Sequence, residues 1–90
     1  MKYMIVEHFK GGDPVPVYRR LRDCGRMNPE GLRYISSWVT QSLDRCYQLM
    51  ECEDPQILEA WMSRWDDLVE FEVMAVIESA DAVEAVSNRL

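Results

Sequence analysis

One histidine, no C-x-x-C pair and no long apolar run are found in these 90 residues, and each shortage removes a class of function. A lone histidine with three unevenly spaced cysteines offers no set of zinc-type ligands, so no metal is expected. The odd cysteine count also argues against a disulfide framework. Cys46 and Cys52, if they share one extended strand, stand roughly 20 Å apart, beyond the about 7 Å limit for a bridge, and are expected to be reduced core thiols. The longest apolar stretch near the start, Tyr3 to Val6, is far shorter than a signal-peptide core or a roughly 20-residue membrane span. A cytoplasmic chain without membrane contact is the expectation. No G-x-S-x-G elbow and no phosphate-binding glycine loop occurs, and no cofactor is expected.

What is present is the composition of one globular domain spanning residues 1–90, with 48% hydrophobic and 29% charged residues. A domain this small leaves a large share of its surface wet, which makes self-association favourable. The net charge of −6 is divided unequally: residues 1–50 hold 8 basic and 5 acidic side chains, and residues 51–90 hold 2 and 11. The cluster Arg19, Arg20, Arg22, Arg26 and Arg33 lies in an acidic chain without a second basic face, so no nucleic-acid partner is expected.

Lys2–Phe9 is β-branched and aromatic and stops at Lys10-Gly11-Gly12, which predicts a strand followed by a turn. Asp13-Pro14 then signals a helix start, with Val17, Tyr18 and Leu21 at helical spacing and Gly25 as the stop. Leu32–Thr40 and Arg45–Glu53 read as a hairpin. A second Asp-Pro pair, 41 residues after the first, opens a helix whose apolar positions run Ile57, Leu58, Trp61, Met62, Trp65 and Leu68. Val69–Glu78 is a fourth strand, and Ser79 is expected to cap a short last helix carrying Val83, Val86 and Leu90. The order β-α-β-β-α-β with an added helix is the split βαβ of ferredoxin-like α+β folds, a four-stranded antiparallel sheet with both main helices on one face. Right-handed crossovers place the first strand centrally, between the third and fourth.

The face left bare by the helices should alternate polar residues, but it does not. Pairing the second and third strands across their loop puts Ile35, Val39, Cys46, Met50 and Cys52 on one side, and Tyr34, Ser36, Trp38, Tyr47 and Leu49 on the other. An aromatic patch built on Tyr34, Trp38, Tyr47 and Leu49 exceeds what a monomer usually exposes, and a homodimer joined through it is expected. The runs Val17-Tyr18-Arg19-Arg20-Leu21-Arg22, Gly25-Arg26-Met27, Pro29-Glu30-Gly31-Leu32-Arg33-Tyr34, Arg45 to Glu51 and Asp67 to Val73 resemble a bacterial family of short domains of unknown function. That family in turn looks like part of the dimeric α+β barrel superfamily. The resemblance implies two ferredoxin-like sheets face to face and supplies no catalytic residue.

Glu7 and His8 are the residues with catalytic potential. Glu7 shares a face with Tyr3, Ile5 and Phe9, where burial raises a carboxyl pKa and makes a general base, unless an arginine such as Arg19 or Arg26 pairs with it. His8 points to the opposite face with Met4 and Val6, so the two cannot form an adjacent acid–base pair unaided. Arg26 has the planar fork that binds a small carboxylate or phosphate, against the competing reading of an ion pair with the acidic half of the chain. Trp61 and Trp65, four apart, either wall a hydrophobic pocket with Arg26 or are simply core. Three functions remain open: binding a small apolar or anionic molecule between helices and sheet, a cofactor-independent oxygenase or isomerase using Glu7 and His8, or a module whose only task is pairing.

Overall fold

Pro14 stands at the cap position before α1 and Pro55 opens the first turn of α2, places where a missing N–H costs no hydrogen bond, and these two starts divide the fold into its halves. The computed structural model describes residues 1–90 as β1 (Lys2–Phe9), α1 (Val15–Cys24), β2 (Arg33–Val39), β3 (Arg45–Glu51), α2 (Pro55–Ser63), β4 (Val69–Val76) and α3 (Ser79–Val86). The strands form one antiparallel sheet in the order β2-β3-β1-β4, the ferredoxin-like arrangement, with β1 central.

The sequence periodicity explains which face is covered. Tyr3, Ile5, Glu7 and Phe9 of β1, with Cys46, Gln48 and Met50 of β3, are buried on the helix-covered face. Val17 of α1 and Leu58 and Trp61 of α2 close the core over them, together with Trp65 and Val69. Asp54 caps α2 by accepting a hydrogen bond from the Gln56 amide at 2.9 Å. Before α1 the cap position belongs to Pro14, which makes no side-chain bond, and Asp13 one residue earlier accepts from the Val15 amide at 3.0 Å.

Four expectations need correction. A β-bulge between Tyr34 and Ser36 shifts the register, so Tyr34 pairs with Met50 on the helix-covered face, while Ser36 and Trp38 stay opposite Leu49 and Tyr47 on the open face. Ile35 is the extra residue and pairs with neither side. Helix α2 ends at Ser63, five residues before Leu68. The Ser63 hydroxyl donates to the Ala60 carbonyl at 2.7 Å, in competition with the helix ladder, and the chain continues in tight turns that still direct Trp65 inward. The strands β2, β3 and β4 are shorter than their apolar patterns, β4 stopping at Val76. Finally, Ser79 is the first residue of α3; the cap position belongs to Glu78, whose side chain makes no capping bond.

Candidate functional site

A carboxylate on the central strand of a sheet is costly, and Glu7, 7% exposed, is the one acid in the core. Antiparallel pairing sets Glu7 between Cys46 of β3 and Phe71 of β4. Gln48, one step along the same face of β3, donates from Nε2 to Glu7 Oε2 at 2.7 Å. Its own Oε1 accepts from Arg26 Nη1 at 2.9 Å, so a guanidinium, an amide and a carboxyl form a relay across the helix–sheet layer. Arg26 therefore does not pair with the acidic half of the chain. Those pairings fall to Arg20 with Asp67 and Arg33 with Glu51.

Arg26 is held from both ends. Its guanidinium carbon lies 3.7 Å from the centre of the Tyr34 ring, a close cation–π stack that the bulge makes possible by turning Tyr34 inward. Its carbonyl accepts two indole N–H bonds, from Trp61 at 3.1 Å and from Trp65 at 3.2 Å. Gly25, at φ +71° in a conformation that favours glycine, ends α1 and sends the following carbonyl toward α2. The Met27 carbonyl accepts from Arg64, fixing the next residue of the same loop.

Between these groups lies a half-open cavity of about 110 Å³ with mostly hydrophobic walls, among them Phe9, Val17, Leu21, Trp61 and Trp65. Glu7, Gln48 and Arg26 form its polar side. Burial raises the Glu7 pKa to about 7, against the opposing pull of the Cys46 thiol, the Arg26 charge and the Gln48 amide. Desolvation first, and then the neighbouring Glu7 carboxylate, push the Cys46 thiol up to about 12, which leaves it a protonated, inert lining group. Tyr18, also lining the cavity, has its hydroxyl pKa raised by burial. The arrangement can donate or accept a proton near neutral pH and can hydrogen-bond a small molecule while enclosing its apolar body.

Glu7, Arg26, Trp61 and Trp65 thus meet at one place. His8 does not: it lies on the open face, its Nε2 is 3.5 Å from Glu72 Oε1 without hydrogen-bond geometry, and it has no part in the cavity. Trp38, Tyr47 and Leu49 share that open face, Trp38 being 57% exposed, whereas Tyr34 belongs to the cavity side. Gln48 is the residue that sequence reasoning passed over. Its position between Cys46 and Met50 on an otherwise apolar face was the available signal. All three cysteines are free, with Cys46 and Cys52 buried and Cys24 exposed. Among the described residues no group of acids, cysteines and histidine is placed to hold a metal ion. No helix is long and apolar enough to cross a membrane.

The family model Domain of unknown function (DUF3303) matches residues 1–90. No curated protein and no solved structure matches the chain.

Proposed function

The chain belongs to the DUF3303 family, and we propose that it binds a small, mainly apolar molecule with one polar group in the cavity between its helices and sheet. The observation that carries this reading is the Glu7 carboxyl at the polar side of an apolar cavity. Keeping an ionisable group there costs stability near neutral pH, and a ligand that hydrogen-bonds it offsets the cost. An apolar protein cavity of about 150 Å³ accommodates benzene, so a half-open one of about 110 Å³ suits a short chain, or a single ring that extends through its mouth. Arg26, with one nitrogen engaged by Gln48, keeps donors for an anionic substituent.

Titration of the labelled protein with single-ring phenols, ketones and carboxylic acids, followed by NMR, tests the reading. The expected result is saturable shifts at Glu7, Gln48 and the Trp61 and Trp65 indoles, together with a small-molecule mass retained in native mass spectrometry. An empty protein whose cavity resonances move for none of these compounds overturns it.

A second reading has its own support: a carboxyl whose pKa is about 7 is matched to general acid–base catalysis, as in a cofactor-independent isomerase or oxygenase. Glu7 would carry the proton, and His8, on the other face, would take no part. In that case Glu7→Gln retains ligand binding and loses turnover, and a variant that turns over normally removes the reading.

The same chain is proposed to act as a homodimer joined through the open face of the sheet, where Trp38 is exposed beside Tyr47 and Leu49. Light scattering is expected to give twice the 10.6 kDa chain mass, and a monomer at all concentrations sinks the proposal.

A further inference from the structure

Arg26 and Tyr18 are the exposed members of the cavity wall and mark its mouth, whereas Glu7 and Gln48 are buried within. Between mouth and interior the Gln48 amide joins two groups: its Oε1 accepts from Arg26 Nη1 at 2.9 Å and its Nε2 donates to Glu7 Oε2 at 2.7 Å. The oxygen and nitrogen of an amide stand about 2.3 Å apart, as its bond lengths dictate, and the two oxygens of a carboxylate stand nearly as far apart. Arg26 and Glu7 are thus set at a separation that a planar group of that size bridges. A ligand carboxylate beside Gln48 meets the same two partners but has no N–H to offer. It bridges them only when Glu7 supplies the hydrogen, one oxygen accepting from the guanidinium and the other from the protonated carboxyl.

The charges agree with that geometry. Arg26 is the sole cation of the cavity wall, and the ion pairs of the chain belong to Lys2, His8, Arg20, Arg22 and Arg33. Stacked on Tyr34 and tied to Gln48 through Nη1, its guanidinium is held in place while Nε and Nη2 donate to no group of the protein. A phosphate or sulfate, with more oxygens to satisfy, finds no second cation in a mostly hydrophobic wall. Around Glu7, α1 contributes Tyr18, the loop after it Arg26, β3 Cys46, and β2 Tyr34, whose hydroxyl pairs with Ser37 at 2.7 Å. Helix α2 and the turn after it present indoles, and β4 presents Phe71, with Glu70 and Glu72 on the opposite face. Tyr18 and Cys46 keep their protons near neutrality, burial above all raising both pKa values. With Glu7 neutral the polar side carries the Arg26 charge alone; with Glu7 ionised the two charges cancel and a second carboxylate is repelled.

We propose that the ligand of this cavity is a small apolar monocarboxylate taken up together with one proton, its carboxylate held between the Arg26 guanidinium and the Glu7 carboxyl and its apolar body against Trp61 and Trp65. This rests on the cavity-binding reading and adds to it the chemical class of the ligand and the proton that accompanies it. Binding and protonation then favour each other: the carboxylate draws a proton from solvent onto Glu7, and a protonated Glu7 tightens the carboxylate by the same factor.

Calorimetric titration of the full chain at pH 6 and pH 8 with isobutyrate and benzoate, each set beside its uncharged amide, isobutyramide and benzamide, tests the inference. The acids stay ionised across that range, since an ordinary carboxyl titrates near about pH 4, so a change in affinity belongs to the protein. With the free Glu7 carboxyl titrating at about 7, the carboxylate Kd is expected to be about tenfold tighter at pH 6 than at pH 8, and the amides are expected to show no such gain. Heats measured in buffers of different ionisation enthalpy should report uptake of about half a proton to one proton per carboxylate at pH 8. Glu7→Gln is expected to flatten the carboxylate profile to within about twofold. Arg26→Gln, whose backbone carbonyl can still accept both indoles, should weaken carboxylate binding at pH 6 by about tenfold or more. Amides that bind where the acids do not, or acids that bind equally at both pH values, overturn the inference and leave the cavity reading standing. If neither set binds, the inference falls, and the cavity reading falls with it only when phenols and ketones fail as well.

Discussion

Glu7 holds its proton more tightly in the folded chain than in the unfolded one, so its ionisation opposes folding. The folded pKa of about 7 lies above the ordinary value of 4.5, so the folded state binds the extra proton between those limits and stability falls as pH rises through that window. The loss amounts to about 3 kcal/mol once both limits are passed. Urea denaturation at pH 5 and pH 8 is expected to show this fall, and Glu7→Gln, which keeps an acceptor for Gln48, to flatten it and to raise stability at pH 8. A slope unchanged in the variant assigns the proton to another group. Cys46 gives a second residue-level expectation. With its thiol protonated and buried, and Cys52 buried as well, iodoacetamide at pH 8 should modify only Cys24 in the native protein and all three cysteines after denaturation, as read by mass.

The two indoles of α2 and the turn after it share one acceptor, so their contributions are not independent. Replacing either Trp61 or Trp65 by Phe leaves the Arg26 carbonyl with one indole donor and should cost about 1 kcal/mol, while replacing both removes its last indole donor and should cost more than the sum of the two. Chemical denaturation of the three variants measures the coupling. The helix caps give a second contrast: Asp54→Ala should destabilise by about 1 kcal/mol through the lost bond to the Gln56 amide, whereas Glu78→Ala, at a cap without a side-chain bond, should have little effect. Both Asp-Pro starts, the central place of β1 and the burial of Glu7 were legible in the sequence, because proline geometry and strand alternation are local signals. The bulge at Ile35 was not, since an extra residue leaves no mark in a run of strand-forming side chains, and with it went the face of Tyr34. The meeting of Arg26 with Gln48 and both tryptophans depends on how the loop after Gly25 closes over the sheet, a long-range geometry that residue spacing does not encode.

At the scale of the whole molecule the sheet is built from pairings distant in sequence. Lys2 pairs with Glu51 on one side and with Val76 on the other, and β1 makes no pairing with the strand that follows it. Mixed α/β domains with such topology fold more slowly than helical bundles, and stopped-flow tryptophan fluorescence is expected to show refolding in roughly milliseconds to seconds. A microsecond phase carrying the whole amplitude contradicts that expectation. The central position of β1 also has a consequence for synthesis. Tyr3, Ile5 and Phe9, buried in the finished core, are made well before the strand that completes their pairing, which ends only at Val76. At about 5–20 residues per second that interval is roughly three to fifteen seconds, during which the apolar face of the nascent segment has no sheet to join. The sheet therefore cannot close until β4 has been made, and β1 is the strand of this domain most in need of a chaperone's cover.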